Sequence, residues 1–311
     1  MKPHHIHPEL RAAARLLPPT PIQWMWFLKL LRFAQGLPIL QTKCVDGVLV
    51  EDIKIGERKA RLYFPEGTRP TAGVLWVHGG GFVSGNEKFD NFVCSSYAKN
   101  LNIIVCSAGY RLAPEYPFPA GRDDCFAAWN WFRELTSDLE IRPDRLAVAG
   151  ISGGGGMAAS LVQYIHKQGG IQPAAQFLFC PMLDDRTALK RELDKMNHVA
   201  WNNKNNRAAW TWYLGTDAGS EHVPKGSVPA RSDELCGLPA TWIGCGNLDL
   251  FYEESRLYAD KLTKAGVRSV FDSVDGAFHG FEILVQNSEL SRKFFDRHFS
   301  FAREVLHDAD C

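Results

Sequence analysis

The sequence predicts an α/β fold: a mostly parallel, doubly wound sheet of eight strands flanked by helices. Three observations predict it. Eight short apolar runs of strand character recur along the 311 residues. From the third run onward they alternate with helical patterns, as crossover units do. Two long stretches, 1–45 and 182–230, break that alternation and read as two parts of one helical cap, which leaves 46–181 and 231–311 as the two parts of the core.

Taken in order, the first segment, "MKPHHIHPELRAAARLL", lacks the apolar stretch and small-residue cleavage site of a secretory leader. "HHIH" (4–7) reads as a loose terminus, because nothing nearby completes a metal-ligand set. "IQWMWFLKLLRFAQGLPIL" (22–40) is interrupted at helical spacing by Lys29, Arg32 and Gln35, which argues against a spanning helix. It reads as a helix packed on the rest of the protein, with a membrane-surface helix as the alternative. "CVDGVLVEDIKI" and "KARLYF" are amphipathic and close together, as in a hairpin at a sheet edge. The remaining strands are "AGVLWVH", "LNIIVCSAGY", "RLAVAG", "AAQFLFC", "ATWIGCG" and "VRSVFDSV". The helices are "NFVCSSYAKN", "GRDDCFAAWNWFREL", "GGGGMAASLVQYIHKQ", "EESRLYADKLTKAG" and "SRKFFDRHFSFAREVLHD". Within the 182–230 stretch, Trp201, Trp210, Trp212 and Tyr213 supply packing surface.

Composition excludes several functions. Lysines and arginines balance aspartates and glutamates at a net charge of zero, so no basic surface for nucleic acid is expected. The eight cysteines are scattered singly with no CxxC pair, which leaves a zinc ribbon or redox motif without support. Cys106, Cys180 and Cys245 lie in apolar runs and read as buried thiols, which suits a reducing, cytoplasmic location. No P-loop pattern occurs. Gly153-x-Gly155-x-x-Ala158 after a strand loosely fits a dinucleotide fingerprint, but no acidic residue stands between Asp144 and Asp184 to take a ribose.

The chemistry-bearing motifs converge on one reaction. Gly150-Ile151-Ser152-Gly153-Gly154 fits G-x-S-x-G, a strand-to-helix corner that holds a serine hydroxyl out above a sheet. A serine needs a base, and the base needs an orienting acid. His279 in "GAFHGF" and Asp249 in "GNLDLFYEE" follow the last two strands, at the carboxyl ends where such sheets place their sites. The other histidines sit in the cap or within helices, and Asp272 and Asp275 are misplaced within or just after a strand. "HGGGF" (78–82) ends the third run. Attack on an ester carbonyl creates an oxyanion, and losing one backbone donor to it typically costs about 3–4 kcal/mol. Gly80, Gly81 and Gly153 are the expected donors, with Gly79 as a further candidate. His78 is expected to brace the loop rather than act as a base.

With HGGGF, G-x-S-x-G-G and the downstream Asp and His, the chain resembles the hormone-sensitive-lipase-like family (family IV, GDXG) of α/β-hydrolase esterases. "GYRLAPEYPFPAGRDDCFAAWNWF" (109–132) strengthens the resemblance, with Tyr116 where histidine is common. Arg111, Glu115 and Asp124 resemble that family's structural residues. The resemblance spans residues 70–283. Two departures stand out: Ile151 replaces a polar residue before the serine with Gly153 after it, and "DLFYE" stands where relatives carry Asp-Pro-Leu-x-Asp, so that Asp249 aligns with the catalytic acid and Glu253 with the second aspartate. The resemblance implies a serine carboxylesterase acting on small esters of short to medium chain. It needs no cofactor, metal, nucleic acid or integral membrane anchor, and copies can pair through "VRSVFDSV". The alternative is a non-catalytic small-molecule receptor on the same fold.

Overall fold

Where apolar residues run without polar alternation, a strand must be covered on both faces, and five such runs make the centre of this protein. The structure, a computed structural model, describes residues 5–17 and 20–307. Its strands are β1 (Val48–Ile55), β2 (Arg58–Pro65), β3 (Gly73–Val77), β4 (Ile104–Ala108), β5 (Leu146–Ile151), β6 (Ala175–Phe179), β7 (Ala240–Gly246) and β8 (Ser269–Val274). They form one eight-stranded sheet in the order β1-β2-β4-β3-β5-β6-β7-β8. β1 and β2 are the antiparallel edge hairpin, β2 meets β4 antiparallel, and all later pairings are parallel.

The helices are α1 (Arg11–Leu16), α2 (Met25–Gln35), α3 (Asn91–Leu101), α4 (Ala120–Asp138), α5 (Gly153–Gln168), α6 (Asn203–Leu214), α7 (Tyr252–Lys264), α8 (Phe281–Leu284) and α9 (Glu289–Leu306). The strand period of two sorts side chains between two cores. Leu75, Val77 and Val148 face one core with Trp129 of α4, Met157 of α5 and Leu262 of α7. Val74, Trp76 and Ala149 face the other with Tyr97 of α3 and Phe294 and Phe299 of α9.

Both long helical stretches pack onto the core. Ile22 and Leu28 are buried in the same cluster as Trp210 and Tyr213 of α6, and Asn205 Nδ2 donates to Thr20 O at 2.7 Å. The 182–230 stretch is tied down by Glu254 of α7. Its carboxyl accepts from the Leu183 and Asp184 N–H groups at 2.7 and 3.2 Å and from the Thr187 hydroxyl. Asp185, fully buried, is gripped by Arg231 at 2.8 Å through each oxygen.

One expectation needs correction. The start of the chain is docked rather than loose. Ile6 and Leu10 are buried, His7 N–H donates to Gly276 O at 2.9 Å, and Glu9 Oε2 accepts from Glu289 N–H at 2.6 Å at the head of α9. Two apolar anchors and a capping carboxylate explain this. His4, Asp308 and Cys311 lie outside the described residues. α2 packs on the core through Leu28, as expected, with Lys29 exposed, Arg32 and Gln35 half-buried, and part of the apolar surface facing water. Trp24, Trp26, Leu30 and Phe33 are exposed, while Arg32 and Gln35 are spent on the core. Among the described residues, no helix is long and apolar enough to cross a membrane. Cys94, Cys106, Cys125, Cys180 and Cys245 are buried and unpaired.

Candidate active site

Ser152 occupies the corner between β5 and α5 with φ +56° and ψ −123°, a conformation that costs energy for any residue with a Cβ. The corner is held from several sides. Ser152 N–H donates to Phe179 O at 2.8 Å, and its carbonyl accepts from the N–H groups of Gly156 at 3.1 Å and Met182 at 3.0 Å. The hydroxyl points at a histidine from another loop: Ser152 Oγ lies 2.9 Å from His279 Nε2. His279 Nδ1 lies 2.8 Å from Asp249 Oδ2. An ionised carboxylate only accepts, so Nδ1 carries the proton and Nε2 is left to accept from the serine. Asp249 in turn is oriented by Phe251 N–H, which donates to Oδ1 at 2.9 Å.

All three groups are buried, with Ser152, Asp249 and His279 at 7, 5 and 8% exposure. Burial pulls the His279 imidazole toward neutrality, but the Asp249 carboxylate outweighs it, and the net shift is upward. Phe251 meets the imidazole edge-on at 5.2 Å between ring centres. His298, by contrast, is deep in the second core beside Tyr97, and burial pushes it down to about 3. Asp272 is paired with Arg297, and Asp275 with Asn247. Neither reaches the imidazole hydrogen-bonding line.

The glycine-rich loop lies against this line. A Cβ on Gly153 would stand 2.7 Å from both Gly81 Cα and Phe82 N, so only glycine lets the serine corner and the loop touch. Gly81 has φ +62°, and a Cβ there would meet the Trp201 ring at 2.4 Å. Among the described residues, no acceptor takes the N–H groups of Gly80, Gly81 or Gly153 outside the regular ladders. Gly79 differs, because its N–H donates to Asp90 Oδ2 at 3.2 Å, as does Trp76 Nε1–H at 2.8 Å. Burial pushes Asp90 up to about 6. His78 is fully buried, donates Nδ1–H to Gly79 O at 2.8 Å and stacks on Tyr110 at 4.2 Å. Burial brings His78 down to about 4, so it is neutral at pH 7.

Several neighbours carry no local sequence signal. Asp90 anchors the glycine loop at Gly79, eleven positions away, in no recognisable motif. Arg32 Nε donates to Val83 O at 2.6 Å, its guanidinium pairs with Glu115 at 2.9 Å, and Gln35 Oε1 accepts from Gly85 N–H at 3.0 Å. Trp201 roofs Gly81, its ring centre 6.4 Å from that of His279. Arg111 grips Asp124 through both carboxylate oxygens, away from the reacting atoms. Glu253, expected to match the second aspartate, pairs instead with Arg256 at the surface, and the adjacent Glu254 is the buried one.

Comparison with known proteins agrees with this architecture. The family described as alpha/beta hydrolase fold matches residues 74–283. Carboxylesterase NlhH of Mycobacterium tuberculosis is 33% identical over 225 residues, covering 71% of this chain and 70% of the relative. Esterase LipI of the same organism is 30% identical over 262 residues, 83% of this chain and 82% of its own. The solved structure of a bacterial heroin esterase superposes with a TM-score of 0.86 at 31% identity, covering 98% of this chain and 99% of that one. The chain therefore belongs to the alpha/beta hydrolase fold family, among its hormone-sensitive-lipase-like carboxylic ester hydrolases.

Proposed function

We propose that this protein hydrolyses small carboxylic esters through an acyl-enzyme on Ser152. The observation that carries the reading is the continuous hydrogen-bonded line Ser152–His279–Asp249, at 2.9 and 2.8 Å, ending beside a loop with free N–H groups. Ser152 Oγ attacks the ester carbonyl while His279 Nε2 takes the hydroxyl proton. Asp249 holds the tautomer and stabilises the imidazolium. The oxyanion is received by the N–H groups of Gly80, Gly81 and Gly153. The imidazolium then protonates the departing alkoxide, leaving the acyl group on Ser152. A water molecule, deprotonated by His279, hydrolyses that ester and restores the serine.

The two helical stretches, 1–45 and 182–230, are proposed to act together as a cap over this centre. Trp201 against Gly81 and Phe251 against His279 wall the reacting atoms with rigid rings, which favours short to medium acyl groups over long ones. Activity on a p-nitrophenyl ester series from acetate to palmitate checks this, and a maximum at palmitate overturns it.

The decisive test is Ser152→Ala. Hydrolysis of p-nitrophenyl acetate is expected to drop by about 10⁴-fold or more, with an unchanged circular dichroism spectrum. A fluorophosphonate probe is expected to label the native chain at Ser152 and leave the variant unlabelled. A native chain that resists the probe, with an intact fold, is a binder and not an esterase.

A further inference from the structure

A second carboxyl group is buried next to the Asp249–His279 pair. Glu282, in α8 just after His279, is 2% exposed. Its side-chain partner is the thiol of Cys180, which donates to Oε1 at 3.7 Å. Cys180 Sγ, an Asp249 oxygen and a His279 nitrogen all lie within 4.8 Å of one another. The thiol is fixed in place. Cys180 is buried, it follows β6 at φ +34°, and its N–H donates to Gly244 O at 2.7 Å.

A thiol is a weak donor. A buried carboxylate held only by a backbone N–H and a weak thiol donor gains from a positive charge nearby when it ionises. Among the described residues, the titratable groups facing Glu282 are His279, Asp249, Cys180 and Cys245. Burial pushes both thiols well up, so they stay neutral. Burial, aided by Asp249, also raises the Glu282 carboxyl, to about 7, against the pull of a backbone N–H and of His279. Reciprocally, the Glu282 charge favours protonated His279. His279 is thus the one group in this set able to offer a positive charge.

Taking His279 to be the base proposed above, we infer that Glu282 is a positioning residue. Its carboxylate, linked by the Cys180 thiol to the Asp249–His279 pair, supports the imidazolium that forms when Ser152 attacks. This support comes from the His279 end of the line, through Cys180 just after β6 and Glu282 in α8. The two carboxyls differ in role: Asp249 touches the imidazole and fixes its tautomer, whereas Glu282 acts on it through charge.

The test is the pH profile of kcat/KM with p-nitrophenyl acetate. Glu282→Gln keeps the shape and removes the charge. Its acid limb is expected to move to lower pH by about one unit, with kcat on the plateau reduced about fivefold by the weaker base. Glu282→Asp keeps the charge and is expected to restore part of the limb. Cys180→Ala leaves Glu282 without its side-chain donor and is expected to shift the limb the same way as Glu282→Gln, by less. Folded Glu282→Gln protein with the native limb and plateau overturns the inference. If Glu282→Gln does not fold, Cys180→Ala decides alone, and an unmoved limb there overturns it. Ser152→Ala and His279→Ala run alongside. Should they retain turnover, the base assignment fails and the inference with it. Should they be inactive while the Glu282 and Cys180 limbs stay in place, only the role of Glu282 has failed.

Discussion

Gly81 is the position at which one methyl group should be felt most. It combines φ +62° with a ring atom of Trp201 2.4 Å from where a Cβ would stand. Gly81→Ala is expected to turn its N–H away and lower kcat by about 10²-fold, with circular dichroism unchanged. Asp249→Asn poses a different problem. Both carboxylate oxygens accept, one from Phe251 N–H and one from His279 Nδ1–H. An amide must present its NH₂ to one of those donors, so the wrong imidazole tautomer is favoured. Its kcat is expected to fall by about 10⁴-fold, read in steady-state kinetics on refolding-competent protein. The upward shift of His279 also sets a sign. Protonated imidazole cannot accept the serine proton, so kcat/KM should fall as pH drops, with a midpoint above the ordinary imidazole value. Ser152, His279 and Asp249 were legible in the sequence because each follows a strand in a short, recognisable turn. Asp90, Cys180, Glu282 and Trp201 were not, because each acts through contacts made only when distant loops meet.

At the scale of elements, α2 shows a polar stripe shared between water, at Lys29, and a loop, at Arg32 and Gln35. Lys29, Arg32 and Gln35 form a polar stripe at helical spacing, and a polar stripe ordinarily meets water. Here the backbone carbonyls of Val83 and Ala113 and the N–H of Gly85 need partners, and Arg32 and Gln35 supply them. The sequence shows the stripe but not the unsatisfied loop it meets. Arg32→Ala is expected to cost about 2 kcal/mol in urea unfolding and to lower kcat/KM, because the same loop carries Gly80 and Gly81. Trp26→Gln, on the exposed side of the same helix, is expected to stay within about 0.5 kcal/mol of the native chain in the same assay. The strands were easier to read, since continuous apolar runs such as "GVLWV" have no alternative to burial on both faces.

Across the whole molecule, the edge hairpin and the alternation of strands with helices follow from the sequence pattern, while the order of the strands in the sheet and the attachment of the 182–230 stretch do not. Glu254 holds that stretch through the N–H groups of Leu183 and Asp184 and the hydroxyl of Thr187. Asp185 and Arg231 close its base. The family resemblance matched Glu253 with the second aspartate of the acid motif, yet one step round the helix decides which carboxylate turns inward. Glu254→Ala strands the buried Leu183 N–H and the half-buried Asp184 N–H and is expected to cost about 3 kcal/mol in thermal or urea unfolding. The leading segment has a parallel importance. His7 is bonded to Gly276, and Glu9 to the head of α9, so this segment splints the loop that delivers His279. A purification tag or fusion partner joined ahead of residue 5 is therefore expected to disturb the loop that carries His279, the base proposed above.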